Sequence, residues 1–174
     1  MPRVWYNVYI EYEGVTYSAR SYLNEFVPMV DCTLTYFDGL GFFDSGYKIN
    51  CFIKDPPNVE NYYRLKMYVN GRVVNNDGEM DVYSDRLFDG KMIGLVQNSS
   101  VVFDKNDTVL VEVQAIDKAA YNYFSTLESI SGLEIIESAS PSNPISNFNN
   151  GALGYFSAYS FDRRSVIIAN YIGK

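Results

Sequence analysis

The chain has 174 residues, is 47% hydrophobic and carries a formal net charge of −7, so it can form one good core and is not a disordered segment. The acidic balance argues against binding to nucleic acid or to an anionic membrane surface, because both need clustered basic residues. The sequence contains no histidine, which excludes Ser-His-Asp and Cys-His catalysis and any histidine-containing zinc site.

Tyr and Phe are abundant throughout the chain, with sixteen and eleven copies, and both favour β structure. The N-terminal residues are a first example, because they predict a β-hairpin. Residues 4–22 form two strand-like runs that meet at the turn dipeptide Glu13-Gly14. Residues 24–28 then interrupt the pattern. We assign residues 1–28 to this hairpin and residues 29–174 to a main β domain.

The two cysteines lie on the next two predicted strands, residues 30–37 and 47–54. Symmetrical pairing of these strands about the loop between them predicts three cross-strand pairs: Cys32 with Cys51, Leu34 with Ile49, and Tyr36 with Tyr47. One interpretation is a disulfide formed in an oxidising compartment, which would remove about 3 kcal/mol of unfolded-state entropy. The other, which we favour, is a pair of buried thiols that behave as small hydrophobic side chains.

The clearest strand covers residues 61–69. Its alternation predicts one core face (Tyr63, Leu65, Met67 and Val69) and one solvent face (Tyr62, Arg64, Lys66 and Tyr68). Asn70-Gly71 predicts a hairpin turn into residues 72–74. The acidic residues of 75–91 match no complete calcium-ligand set, so we expect a solvated loop without a metal. Short strands are predicted at 93–97 and 101–103, a tight turn at 104–107 and a longer strand at 108–116.

One helix is predicted, over residues 117–131. Asp117 is a suitable N-cap, apolar residues recur at helical spacing after it, and Gly132 is a suitable C-terminal stop. A long connection follows at 133–150, and residues 152–159 and 163–169 predict a final pair of strands. The expected fold is all-β and mainly antiparallel, a β-sandwich or open barrel with this helix packed on it.

The segment 143–160 holds the candidate binding residues. Its second part, from Gly151 onward, is interpreted as a strand that packs against the sheet and the helix. The loop before it is expected to offer uncommitted amide groups beside an aromatic platform. The candidate ligand- or partner-binding residues are Asn143, Asn147, Asn149, Asn150 and Tyr155.

Four stretches of the sequence together resemble one protein family. They are DPPNVENYYRLKMYVNG at 55–71, SDRLFDG at 84–90, VEVQAIDKAAYNYFSTL at 111–127 and NPISNFNNGALGYFSAYS at 143–160. In this order they resemble the C-terminal part of the Bacteroidetes "domain of unknown function 4249" lipoproteins. The resemblance covers most of the chain from Asp55 onward.

The resemblance implies an exported, outer-membrane-associated protein that is lipid-anchored in its full-length form and often encoded beside a TonB-dependent receptor. Family members usually carry a lipid-modified Cys and an immunoglobulin-like β domain upstream. Neither Cys32 nor Cys51 follows an apolar export segment, so the anchor is not expected in this chain, and residues 1–28 resemble the tail of that upstream domain. The family supplies no catalytic residue and no cofactor to carry over.

We therefore expect a non-catalytic accessory or binding module that serves an outer-membrane receptor in the uptake of a glycan or peptide. One alternative is a glycoside hydrolase that works without histidine through paired carboxylates. Another is a purely structural assembly subunit. No apolar run is long enough for a transmembrane span. Strand edges left open at the hairpin predict self-association.

Overall fold

The computed structural model describes residues 4–37, 46–74, 80–96, 103–132 and 143–169. A short 3₁₀ helix at Asp85–Leu87 follows the seventh strand. The other elements, in chain order, are β1 (Val4–Tyr12), β2 (Val15–Leu23), β3 (Met29–Phe37), β4 (Gly46–Lys54), β5 (Tyr62–Val69), β6 (Arg72–Val74), β7 (Val82–Ser84), β8 (Met92–Val96), β9 (Thr108–Ile116), α1 (Lys118–Gly132) and β10 (Ser160–Ile167).

The strands form three antiparallel sheets. The hairpin β1-β2 is a two-stranded sheet of its own, and β3-β4-β8 form a three-stranded sheet. The third sheet has the order β10-β9-β5-β6, with β7 also paired to β5. The sheets do not close into a barrel, and the part of the chain that the structure describes contains one α-helix. The predicted all-β antiparallel class with a single packed helix is therefore confirmed.

The main core lies between the second and third sheets. Alternate residues of β5 and β9 face alternate residues of β3, β4 and β8, and together they form one buried hydrophobic cluster. This face-to-face packing is a β-sandwich, in which the period-two pattern of each strand places its apolar residues inward. The most buried members are Met29, Cys51, Ile53, Tyr63, Leu95, Val109, Val111, Val113 and Ile168.

The outer face of the third sheet is less exposed than the alternation predicts. Tyr63, Leu65 and Met67 of β5 enter the core as expected, but Tyr62 on the opposite face is also buried. The reason is that α1 packs over this face, where Tyr62 joins Ile116 in a second cluster with residues of the helix. The prediction of a solvent face on β5 is therefore wrong at its N-terminal end.

Both predicted hairpin turns are confirmed. Glu13 and Gly14 have φ values of 49° and 75°, and Asn70 and Gly71 have 50° and 78°. Two successive residues with positive φ make a type I′ turn, whose twist matches that of the flanking strands. A glycine at the second position adopts this conformation without steric cost.

The register of β3 on β4 is the one predicted from the alternation. Cys32 lies opposite Cys51, Leu34 opposite Ile49 and Tyr36 opposite Tyr47. Both cysteines are free thiols, with Cys51 fully buried and Cys32 half-buried. Their mutual hydrogen bond lowers the pKa of Cys32, and the same bond together with burial raises the pKa of Cys51.

The C-terminal elements differ from the prediction. Residues 152–159 are irregular rather than a strand, and the final strand covers 160–167 rather than 163–169. This strand pairs with β9 along its whole length, so residues 160–162, which lay between the two predicted strands, belong to it. The small and aromatic residues of 152–159 pack around the hairpin and helix without joining a ladder. The predicted strand at 101–103 lies largely outside the described residues.

The remaining expectations concern the helix and the acidic region. The helix covers Lys118–Gly132, one residue later than predicted, with Asp117 as its cap. Residues 80–91 are not a simple loop, because β7 and the 3₁₀ helix lie there. None of the helices seen in the described ranges has the length and apolar character needed to cross a membrane.

We expect Leu95→Ala to lower the free energy of unfolding by roughly 2–5 kcal/mol, because Leu95 is fully buried between the two sheets. The matched control is Leu87→Ala, at a leucine that is 89% exposed, where the change should stay within about 0.5 kcal/mol. Urea unfolding followed by circular dichroism measures both. If both variants lose the same free energy of unfolding, then Leu95 does not belong to the hydrophobic core between the two sheets.

Candidate functional site

The hairpin is held against the main domain by a buried aspartate. Asp117, 6% exposed, lies between β9 and α1. Its Oδ2 accepts hydrogen bonds from the Ser21 hydroxyl at 2.6 Å and from the Tyr22 N–H at 2.9 Å. Its Oδ1 accepts from the Ala120 N–H at 2.8 Å, which caps the helix. One carboxylate therefore links the hairpin, the central sheet and the helix N-terminus.

The segment 143–160 lies along the outer edge of β2. Phe148 forms an isolated antiparallel bridge with Ala19, and the Asn149 N–H donates to the Ser18 carbonyl at 3.0 Å. Farther along, the Ala158 N–H donates to the Ser21 hydroxyl at 2.9 Å. The segment thus covers one edge of the hairpin and fixes it to the rest of the molecule.

The amide groups predicted to be uncommitted are mostly engaged. Asn147 makes a two-way bond with the backbone of Phe156, accepting from its N–H at 2.9 Å and donating to its carbonyl at 2.7 Å. Asn149 Oδ1 accepts from the Ser18 N–H at 2.7 Å, and Asn150 Nδ2 donates to the Thr16 carbonyl at 2.9 Å. The premise of free amides is therefore wrong for these three residues.

The other two candidate residues, Asn143 and Tyr155, do not form such side-chain bonds to the hairpin or to Phe156. Asn143 is exposed, and its side chain makes no hydrogen bond to the described part of the chain. Tyr155 packs between Tyr123 and Phe124 of α1, with ring centroids 4.6 Å from each. Burial raises the pKa of Tyr155. The structure thus places Tyr155 in the helix–sheet cluster, and a binding role for all five residues stays a prediction.

An open groove lies where the hairpin meets the start of the helix. Its volume is about 560 Å³, within the range of small-molecule sites. One wall comes from the hairpin, and the opposite wall comes from the β5 and α1 region. The residues with polar or aromatic side chains that line it are Trp5, Arg20, Tyr22, Asn24, Glu60, Tyr62, Asp117, Lys118, Asn122 and Asn147.

The hairpin wall of the groove is an aromatic platform with a cation on it. Trp5 is 51% exposed and lies 5.2 Å from the Tyr22 ring, centroid to centroid. The Arg20 guanidinium lies 4.6 Å from the centroid of the Trp5 ring. Such a surface offers both an apolar face and hydrogen-bond donors, as sites for sugars and peptides do.

The opposite wall carries an ion pair that positions its polar atoms. Lys118 Nζ lies 3.0 Å from Glu60 Oε1, and the Tyr62 hydroxyl donates to the same oxygen at 2.5 Å. Hydrogen bonds from Tyr62 and Lys118 lower the pKa of Glu60. The second carboxylate of the groove, Asp117, already accepts three hydrogen bonds. Both acids of the groove are thus engaged as hydrogen-bond acceptors within the protein.

A smaller hollow of about 300 Å³ adjoins the groove. It lies between the exposed face of the hairpin and the start of the segment 143–160, and it shares Arg20 and Asn147 with the larger groove. The candidate residues Asn147 and Asn149 line this smaller hollow. Trp5, Arg20 and Tyr22 were not among the residues predicted from the sequence.

A separate cluster of three carboxylates joins two loops of the sandwich. Asp55, Asp85 and Asp89 each offer an oxygen, and these oxygens all lie within 4.8 Å of one another. Oxygen ligands at this spacing suit a hard cation such as Ca²⁺. Most of them, however, accept hydrogen bonds from the protein, with donors on Tyr63 and on the backbone of Asn58, Asn61 and Gly90. We interpret the cluster as a structural junction between the loops.

Comparison with known proteins extends the matched region to the hairpin. A family model with the description "Domain of unknown function (DUF4249)" matches residues 5–165. This range covers most of the chain and includes the hairpin, the sandwich, the helix and the segment 143–160. No curated protein and no solved structure matches the chain.

We expect Asn147→Ala to lower the free energy of unfolding by roughly 1–3 kcal/mol, because it removes both bonds to the Phe156 backbone. Asn143→Ala is the matched control in the same loop and should change stability by less than about 0.5 kcal/mol. Thermal and urea unfolding measure both variants. If the two variants are equally stable, the loop amides do not hold the segment in place.

A second prediction concerns Asp85, whose pKa is raised by burial and by the nearby carboxylates of Asp55 and Asp89. The folded state then binds the Asp85 proton more tightly than the unfolded state, so this group lowers stability as the pH rises through its folded pKa. Asp85→Asn removes that cost, and its amide oxygen can still accept from the Asn61 N–H. We expect the variant to be more stable than the parent at pH 7.

The gain from Asp85→Asn should shrink as the pH falls from the folded-state pKa toward the unfolded-state pKa, and it should vanish below the latter, where the parent carboxyl is protonated in both states. Urea unfolding at several pH values between 7 and 4 measures the difference. Asp104→Asn, at an exposed carboxylate outside the cluster, controls for the loss of one negative charge. If Asp85→Asn is less stable than its parent at neutral pH, then ionised Asp85 does not destabilise the fold.

Proposed function

The chain belongs to the DUF4249 family, and from this membership together with the groove we infer that it is a non-catalytic binding module of the bacterial outer membrane. The observation that carries the proposal is the platform of the exposed Trp5 and Arg20 with the half-buried Tyr22, which lines an open groove opposite Lys118. Aromatic faces rimmed by donors favour a glycan or a peptide as ligand.

The state of the acidic groups in the groove supports binding rather than hydrolysis. A glycoside hydrolase of the paired-carboxylate type needs one carboxylic acid kept protonated and one free carboxylate across the cleft. Here the pKa of Glu60 is lowered, and Asp117 is occupied by three protein donors. Neither group is arranged as a proton donor to a ligand, so the hydrolase is the weaker alternative.

The proposed location and partner rest on the family resemblance. Proteins of this type are exported lipoproteins often encoded beside TonB-dependent receptors, and a binding module at that place would present a nutrient to the receptor. A purely structural subunit of the same assembly would bind the receptor without a ligand. Co-purification with the receptor encoded beside the gene tests the location, and ligand titration separates the two roles.

We expect Trp5→Ala to weaken ligand binding tenfold or more, because it removes both the stacking face and the support of Arg20. Tyr12→Ala is the matched control, since Tyr12 is an exposed aromatic of the same strand outside the groove. The measurement is calorimetric titration with a panel of soluble oligosaccharides and short peptides. The groove is not the site if a ligand binds both variants equally, and a panel without any binder favours the structural subunit.

A further inference from the structure

The two thiols of the chain lie directly opposite each other on neighbouring strands. β3 and β4 pair antiparallel with Cys32 across from Cys51, and a hydrogen bond joins the two side chains. Cys51 belongs to the main hydrophobic cluster, and Cys32 packs against that cluster. The two sulfur atoms are therefore neighbours on the inner face of the sandwich.

The pair occupies a strand position that a disulfide can bridge. The Cα atoms of opposite residues in antiparallel strands are about 4.5 Å apart where the two residues do not exchange backbone hydrogen bonds, and about 5.5 Å apart where they do. Both distances lie within the range of about 4.4–6.8 Å that disulfides span. The Cys32 N–H donates to Asp31 Oδ1 at 2.8 Å, which indicates that this N–H points away from β4 and that the spacing is the closer one.

The two thiols differ in their access to solvent and in their acidity. Cys51 has no exposed surface, whereas Cys32 is half-buried. The hydrogen bond from Cys51 lowers the pKa of Cys32, and the same bond together with burial raises the pKa of Cys51. Because a thiolate is the form that attacks a disulfide, an oxidant from solvent reacts first with Cys32.

We propose that Cys32 and Cys51 form an intramolecular disulfide when the chain meets a small disulfide such as oxidised glutathione, and that this bond links the edge strand β3 covalently to β4. The Cys32 thiolate attacks one sulfur of the reagent, whose S–S bond breaks and releases one glutathione. Cys51 then attacks Cys32 Sγ and expels the second glutathione. The protons of the two cysteines pass to the two glutathione thiolates, so two protein thiols are oxidised and one reagent disulfide is reduced.

The bond acts on a strand that has one neighbour in its sheet. Among the described elements, β3 is hydrogen-bonded to β4 alone. Its start is held by Met29, whose N–H donates to Asp162 Oδ2 at 2.9 Å and whose carbonyl accepts from Arg164 Nη2 at 3.0 Å. Closing the chain between the cysteines also restricts the unfolded state, which lowers the ratio of unfolded to folded chains roughly a hundredfold for a loop of this length.

Intact mass and urea unfolding of the full chain test the proposal. The reduced protein is equilibrated with an excess of oxidised glutathione, the remaining thiols are blocked with a maleimide under denaturing conditions, and the mass is measured. We expect a monomer that carries neither maleimide nor glutathione. In urea, its ratio of unfolded to folded chains should be roughly a hundredfold lower than that of the same protein kept reduced with dithiothreitol.

Two variants separate the roles of the two thiols. Cys51→Ala should retain one glutathione on Cys32, because no second thiol displaces it. Cys32→Ala is the matched control and should carry no glutathione, because Cys51 has no exposed surface in the folded protein. Far-UV circular dichroism verifies that each variant folds. Should either fail to fold, the comparison of the oxidised with the reduced parent still decides the proposal, since it needs no substitution.

Two free thiols in the parent after equilibration overturn the proposal, as does a stable mixed disulfide at Cys32 or a disulfide between two copies of the chain. An oxidised protein that is no more stable than the reduced one overturns the stabilising role of the bond. These outcomes are independent of ligand binding, because neither cysteine lines the groove. Disulfides persist in oxidising compartments, so the bond suits the exported location that we propose, although its formation in solution does not depend on it.

Discussion

The arrangement of this molecule depends on one buried carboxylate. Asp117 directly follows β9, caps α1 and accepts two hydrogen bonds from β2, so one acceptor group joins the hairpin to two consecutive elements that lie far from it in the sequence. A buried charge is tolerated only where donors surround it. Since neither hydrophobic cluster of the described residues includes a residue of β1 or β2, this polar contact and the segment 143–160 together fix the hairpin orientation.

The groove is a consequence of that attachment. Its hairpin wall carries Trp5 and Arg20, and its opposite wall carries Tyr62 and Lys118. Neither wall would form a site alone, because the distance between them is set by the bonds from Asp117 to the hairpin. For the binding function that we propose, a groove held between two packed elements is pre-organised, which lowers the entropic cost of holding a ligand.

The sandwich was predictable from the sequence because period-two alternation sets both the inward face and the register of each strand. The Cys32–Cys51 pairing and the two Gly-containing hairpin turns followed directly from such patterns. The irregular course of 152–159 was not predictable, since small and aromatic residues serve a strand and a packed coil equally well. Nor could local sequence show that Asn147 bonds the backbone of Phe156, because that pairing depends on a turn between them.

The position of the segment 143–160 has a consequence for the order of folding. The hairpin is local and forms from residues within one short stretch, but its lateral support comes from partners more than 90 residues later, as in the bonds of Ser21 to Asp117 and of Ser18 to Asn149. Synthesis proceeds from the N-terminus, so the hairpin leaves the ribosome long before residues 143–160 exist. Both of its edges are unprotected during that interval, and β2 becomes covered only when the last sixth of the chain has arrived. The hairpin therefore lacks the hydrogen bonds that hold its outer edge until that segment has been synthesised.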